Sequence, residues 1–183
     1  MRLDDVPAGL PISFRTDLAQ LIAGVRGAIR SELRSVSARD LKAWARRSRL
    51  SAAVDRDGFF SVARSPAAAR RVLRIDALPG RHAFILGRAL GYPTCCCLAA
   101  ARRGEDHLDE WSAESSSASF RGRFQLINPE GYREGRALIS HIPCLPHCLP
   151  SLRIALAVLA WRGRSKVDTP RLRRAAAPTA RRR

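Results

Sequence analysis

Hydrophobic positions first fall into register at Ser13. Phe14, Leu18, Leu21, Ile22, Val25 and Ile29 lie on one helical face, with arginine and aspartate between them. Residues 1–12, with Pro7, Gly9 and Pro11, read as a loop. Ser37-Ala38-Arg39-Asp40 has the form of a capping box with aspartate in place of glutamate, and opens a short helix through Leu41 and Trp44. Arg39, Arg46 and Arg47 would line its exposed face. The period then changes. Asp55-Arg56-Asp57-Gly58 separates Ala52-Ala53-Val54 from Phe59-Phe60-Ser61-Val62, which predicts a β-hairpin. A hairpin alone is marginal, and Phe124-Gln125-Leu126-Ile127 is the candidate third strand.

Helical patterning resumes at Pro66, a residue suited to a first turn, and runs to about Leu78. Pro79-Gly80 breaks it, and another helix follows from about Arg81 to Leu90, with Gly91 where a C-cap glycine belongs. Further helices are predicted over Cys95 to Arg103 and Asp106 to Ser112. Ser115 to Ser119 reads as a flexible connection. The last element, Pro150 to Trp161, is apolar on nearly all sides and is expected to be central. The whole predicts an α+β, mostly helical fold. It has an N-terminal loop (1–12), a single compact domain with one small hairpin (13–161), and a disordered arginine-rich tail (162–183).

Charge adds one feature. The chain of 183 residues carries a formal net charge of +17, and Lys42 and Lys166 are its only lysines. Such an arginine skew is a common mutational bias and names no function by itself, although a field of this size attracts polyanions and acidic proteins. The partners this suggests are nucleic acid or an acidic protein, met by the arginine-rich surface and tail. The start of the chain lacks a basic segment followed by an apolar run, and the most apolar stretch, Leu149 to Trp161, is too short to span a bilayer. A cytoplasmic chain with reduced thiols is the expectation, in line with its odd number of cysteines.

Those five cysteines carry the candidate chemistry. They occupy two short segments, Cys95-Cys96-Cys97 and Cys144-x3-Cys148, the second preceded by His141. Pro93 stops the preceding helix and Thr94 suits the N-cap of the next, which puts the first cluster in a helical first turn. There the free N–H groups and the positive end of the helix dipole favour thiolate. Successive helical residues point about 100° apart, so one or two of the three are expected to face a single ion. Around the second cluster Pro143, Pro146 and Pro150 stiffen the chain, and Pro150 places Cys148 just before another helix start. The ligand set is then His141, Cys144 and Cys148 with one of Cys95 or Cys96, suited to tetrahedral zinc or, as an alternative, to an iron–sulfur cluster with a histidine ligand.

The two blocks Leu90-Gly91-Tyr92-Pro93-x-Cys95-Cys96 and His141-x-Pro143-Cys144-x3-Cys148 resemble an uncharacterised family of bacterial and archaeal domains with GYPxCC and HxPCxxxC motifs. The resemblance spans about residues 82–157. It implies that Cys95, Cys96, His141, Cys144 and Cys148 belong together, and it implies no activity. Cys97 and His147 are extra to the pattern.

Blander readings apply elsewhere. His82 and His107 read as surface or helix histidines, Trp44, Trp111 and Trp161 as core or interface anchors, and Glu105-Asp106-Asp109-Glu110 as a solvated helix face. No Walker loop, dinucleotide fingerprint or nucleophile elbow is present. Three functions compete: a small metal-binding protein, a basic nucleic-acid-binding module with a structural metal site, and a thiol–disulfide protein. The third lacks a CxxC pair. The sequence names no substrate and leaves the question of an enzyme open.

Overall fold

The computed structural model describes residues 5–80, 82–117 and 119–164. Among them the chain is α+β and mostly helical: α1 (Phe14–Ile22), β1 (Ala28–Glu32), α2 (Ala38–Arg47), β2 (Ser51–Val54), β3 (Phe59–Ala63), α3 (Pro66–Asp76), α4 (Ala83–Leu90), α5 (Thr94–Arg103), α6 (Leu108–Ser117) and α7 (Leu149–Arg164). No helix is long and apolar enough to cross a membrane among these residues.

Local chemistry explains most of the boundaries. Ser37 caps α2, its hydroxyl accepting from the Asp40 N–H at 3.1 Å and donating to the Asp40 carboxylate at 2.7 Å. In the hairpin, Asp55 Oδ1 accepts from the N–H groups of Asp57 and Phe59, and Gly58 takes the left-handed conformation (φ +86°) that closes the turn. Ser65 caps α3 through the Ala68 N–H, with Pro66 in the first turn. The N-terminus of α4 is capped from outside, since Glu105 Oε1 accepts from the N–H groups of His82 and Ala83 at 2.7 and 2.6 Å. That carboxylate is therefore a cap rather than part of a solvated face.

Three expectations need correction. The helical period from Phe14 does not reach Ile29: α1 ends at Ile22, Gly24 turns the chain with φ +79°, and Ile29 lies in β1. That strand is the third member of the sheet, whose order is β1-β3-β2, antiparallel throughout, with Ile29 opposite Val62 and Val62 opposite Ala52. Phe124 to Ile127 is instead part of a 3-10 helix (Gly122–Ile127), with Leu126 and Ile127 buried. The serine-rich stretch continues α6 to Ser117. At the C-terminus Arg162, Gly163 and Arg164 extend α7, while residues 165–183, the remainder of the expected tail, lie outside the described residues.

Two apolar clusters flank α1. Phe14, Leu18 and Leu21 pack with Ile29, Leu41, Trp44, Phe60 and Val62 under the sheet and α2. Ala19 joins a second cluster of Leu126, Ile127, Leu138, Ile139, Leu152, Ala155 and Val158, built around α7. Sandwiched this way, α1 buries its polar side as well. Thr16, Asp17 and Gln20 are all inaccessible. The most central helix is thus α1, and α7 leaves Leu149 and Leu156 exposed.

Candidate metal centre

Gly91 begins the construction of the site. It ends α4 with φ +92°, and a Cβ there would lie 2.7 Å from the Gly27 nitrogen, so only glycine fits both the conformation and the close approach. The Gly27 N–H donates to the Leu90 carbonyl across this contact. Tyr92 and Pro93 then turn the chain into α5. Thr94 is its first residue and Pro93 holds the N-cap position, one residue earlier than the sequence suggests. Cys95 and Cys96 follow in the first turn. Cys144 lies in the proline-stiffened loop, and Cys148 immediately precedes α7, with Pro150 in that helix's first turn.

The sulfurs of Cys95, Cys96, Cys144 and Cys148 converge, all lying within 4.8 Å of one another. Cys95 and Cys96 are 3.9 Å apart, Cys95 and Cys148 3.8 Å, and Cys96 and Cys148 3.7 Å. All five cysteines are free thiols. Two helix starts, α5 and α7, point at the group, as the sequence indicates, and add positive potential from their unpaired N–H groups. Hydrogen bonds are already directed at the sulfurs. The Cys144 N–H donates to Cys96 Sγ at 3.4 Å, and the Ser151 hydroxyl donates to Cys148 Sγ at 3.2 Å.

This environment sorts the thiols. Hydrogen bonds from Cys96 and Ser151 pull Cys148 down to about 4, against the opposing effect of burial. Cys96, on the donor side of the bond to Cys148 and buried, is pushed well above the ordinary thiol range. Burial and the same neighbour push Cys144 up to about 12. One thiolate shared among four sulfurs is what a cluster without a cation can support, and a bound cation would let the rest ionise.

His141 takes a different place from the one its motif suggests. Its Nε2 lies 2.8 Å from Ser151 Oγ, and Ser151 is the residue that reaches the sulfurs, so the histidine stands one hydrogen bond behind the four-sulfur group. It is 8% exposed, and burial with Arg26 nearby lowers its pKa to about 3, which keeps the ring neutral. Both Cys95 and Cys96, rather than one of them, face the common centre, because at a helix end neighbouring side chains can splay toward a point beyond the first turn. Cys97 turns away. Its sulfur packs against Gly87, where a Cβ would lie 2.8 Å from it, and burial pushes its thiol up. His147 is exposed beside the Phe124 ring, His82 bonds the Gly80 carbonyl, and His107 pairs with Glu110.

Behind His141 lies a polar network that sequence reasoning missed. The Arg26 guanidinium contacts Asp17 Oδ1 at 2.5 Å, the Ser140 hydroxyl, the Tyr92 hydroxyl at 3.1 Å and the Ala28 carbonyl at 2.6 Å. Tyr132 donates to Asp17 Oδ2, Tyr92 donates to the Ser140 carbonyl, and Ser140 donates to Gln20. Burial works against the Arg26 charge, but Asp17 together with Tyr92 and Tyr132 more than restores it. The Tyr92 ring also lies 5.1 Å from the His141 ring. The only sequence signal was the pair of charged residues on either side of Gly24, nine positions apart and ordinary by composition. No family model, characterised protein or solved structure matches the chain. The reading of the site therefore stands on its geometry.

Proposed function

We propose that the protein binds a single zinc ion through Cys95, Cys96, Cys144 and Cys148, and that the ion locks the 140–148 loop to the starts of α5 and α7. The observation that carries this is the sulfur spacing. A zinc–sulfur bond of about 2.3 Å in a tetrahedron puts sulfurs about 3.8 Å apart; the three pairs among Cys95, Cys96 and Cys148 lie at 3.7 to 3.9 Å, and Cys144 lies within 4.8 Å of each. A multi-iron cluster sets its cysteines on different irons and holds them wider apart, which disfavours the iron–sulfur alternative. Four thiolates fill the coordination shell of zinc, and a filled shell supports a structural ion over a catalytic one. Ser151 and the Cys144 N–H then act as the outer hydrogen-bond donors that such sulfurs require. On this reading the GYPxCC and HxPCxxxC blocks are two halves of one site, with His141 an outer residue.

Elemental analysis with an absorption spectrum, on protein purified without oxygen or a histidine tag, tests the proposal. The expected result is about one zinc per chain, lost in Cys148→Ser and kept in Cys97→Ser. A single iron with visible charge-transfer bands would keep the site and change the metal. Iron with inorganic sulfide, or no metal at all, would sink the zinc reading.

A further inference from the structure

The sheet has helices on both faces. Ile29 and Val62 point into the cluster with α1 and α2, while their neighbours Ala28 and Ala63 point the other way, into a cluster with Ala69, Val72 and Leu90 of α3 and α4. These two helices pack against each other and against β1. Their facing residues are small: Gly27, Ala67, Ala68 and Ala89 wall a groove of about 690 Å3 between them. An apolar cavity of roughly 150 Å3 holds one benzene ring, so this groove has room for several side chains.

Two kinds of larger side chain meet there. Phe84 and Ile85 line it from α4, and Ile85 is 50% exposed. Arg71 and Arg74 from α3 and Arg88 from α4 line the same groove, with no aspartate or glutamate among the lining residues. All three arginines are exposed. Arg88 gives an N–H to the Tyr92 carbonyl, while Arg71 and Arg74 have no polar partner among the described residues. The acid of α3, Asp76, is held by Arg30 at 2.8 Å. Other surface arginines differ, since Arg103 pairs with Glu114 and Arg136 with Glu134. The groove therefore combines apolar walls with positive charge that no neighbouring carboxylate balances.

We infer that this groove docks an acidic amphipathic helix of a partner protein. Its apolar side chains would lie against Ile85, Phe84 and the alanines, and its carboxylates would meet Arg71, Arg74 and Arg88. Charge decides among the occupants. The chain's own residues 165–183 are strongly basic, with Asp168 their single acid, and a second copy arrives with the same net charge of +17. A nucleic-acid backbone would satisfy the arginines and leave Ile85 uncovered. Carboxylates beside an apolar stripe satisfy both kinds of side chain at once. From Ala67 to Arg74 the groove follows about 10 Å of α3, the length of two helical turns. None of its residues belongs to the metal centre, so the inference stands or falls apart from the zinc reading.

Fluorescence anisotropy at physiological salt tests it. The probe is a labelled helical peptide of about four turns, with leucines on one face and glutamates flanking them. Its control has the same composition, with the leucines scattered off that face. The first peptide should bind saturably and the control at least about tenfold more weakly. Arg71→Glu with Arg74→Glu should weaken binding at least about tenfold, as should Ala67→Trp, which sets a ring in the groove. Arg39→Glu with Arg46→Glu makes the same change of net charge on α2, across the sheet, and should alter affinity less than about threefold. All the substituted positions are exposed, so the variants keep the fold. Absence of saturable binding, equal binding of the control peptide, or an equal loss in the α2 variant overturns the inference. A single-stranded DNA of the peptide's charge that binds more tightly and displaces it would also overturn it, and would make nucleic acid the occupant.

Discussion

Ser151 has a single proton and three neighbours within reach: Cys148, Cys96 and His141. Giving it to sulfur orients the histidine, and burial beside Arg26 keeps the ring from taking up a second proton. The consequence is a stability that depends on pH. The ring titrates near 3 in the fold and near 6.5 in the open chain. Above pH 6.5 it is neutral in both states, so its contribution is fully present. As pH falls from 6.5 toward 3, the unfolded chain binds a proton that the folded chain refuses, and stability is lost at about 1.4 kcal/mol per pH unit. Urea unfolding of the wild type and His141→Gln at pH 7.5 and 5.5 checks this. The wild type should lose about 1.4 kcal/mol more than the variant over that interval, and equal losses would mean that the ring protonates freely in the fold. His141 was legible in the sequence as a residue of the site, but its role was not. Ser151, which displaces it from the sulfurs, looked like an ordinary residue of a proline-led first turn.

At the scale of elements, the two helix starts that hold the sulfurs could be read from a few residues each, because Pro93, Thr94 and Pro150 act locally. Capping at Ser37, the first turn at Pro66 and the Asp55 turn were legible for the same reason. Strand β1 was not. Val25 and Ile29 continue the spacing of α1, and only the pairing of Ile29 with Val62, 33 positions away, makes that segment a strand. Gly91 joins the local and distant levels, since it is both the C-cap of α4 and the place where that helix end meets Gly27. Gly91→Ala should therefore cost more than an ordinary C-cap substitution. The left-handed backbone accounts for about 1 kcal/mol, and a Cβ 2.7 Å from a backbone nitrogen forces α4 away from β1. A loss of at least about 2 kcal/mol in urea unfolding is expected, with the zinc midpoint in a chelator titration shifted as Tyr92 and α5 move. Gly58→Ala, also at positive φ but with open space around it, is the control and should show the backbone cost alone.

Across the whole molecule the cysteines belong to one side of α1. Cys96 and Cys148 are members of the cluster that includes Leu138, Ile139, Leu152, Ala155 and Val158, whereas the cluster under the sheet, from Phe14 and Leu18 to Phe60 and Val62, contains no cysteine. The second needs only apolar burial to hold it. The first includes the irregular stretch from Pro129 to Pro143, whose backbone has few regular partners, so tying its end to α5 and α7 through an ion supplies what secondary structure does not. Removal of the metal should therefore loosen the molecule unevenly. Hydrogen exchange with and without a chelator should show amide protection in α5, α7 and the 137–148 segment falling by at least about tenfold, while β3 and α2 change little. Between the two regions stands the Asp17–Arg26 pair, anchored on α1 and just before β1 and bonded to Ser140 beside the site. If that network transmits the loss, β1 will follow α7 rather than β3. Equal loss of protection in β3 would show that the two clusters form a single cooperative unit, held as a whole by the four cysteines.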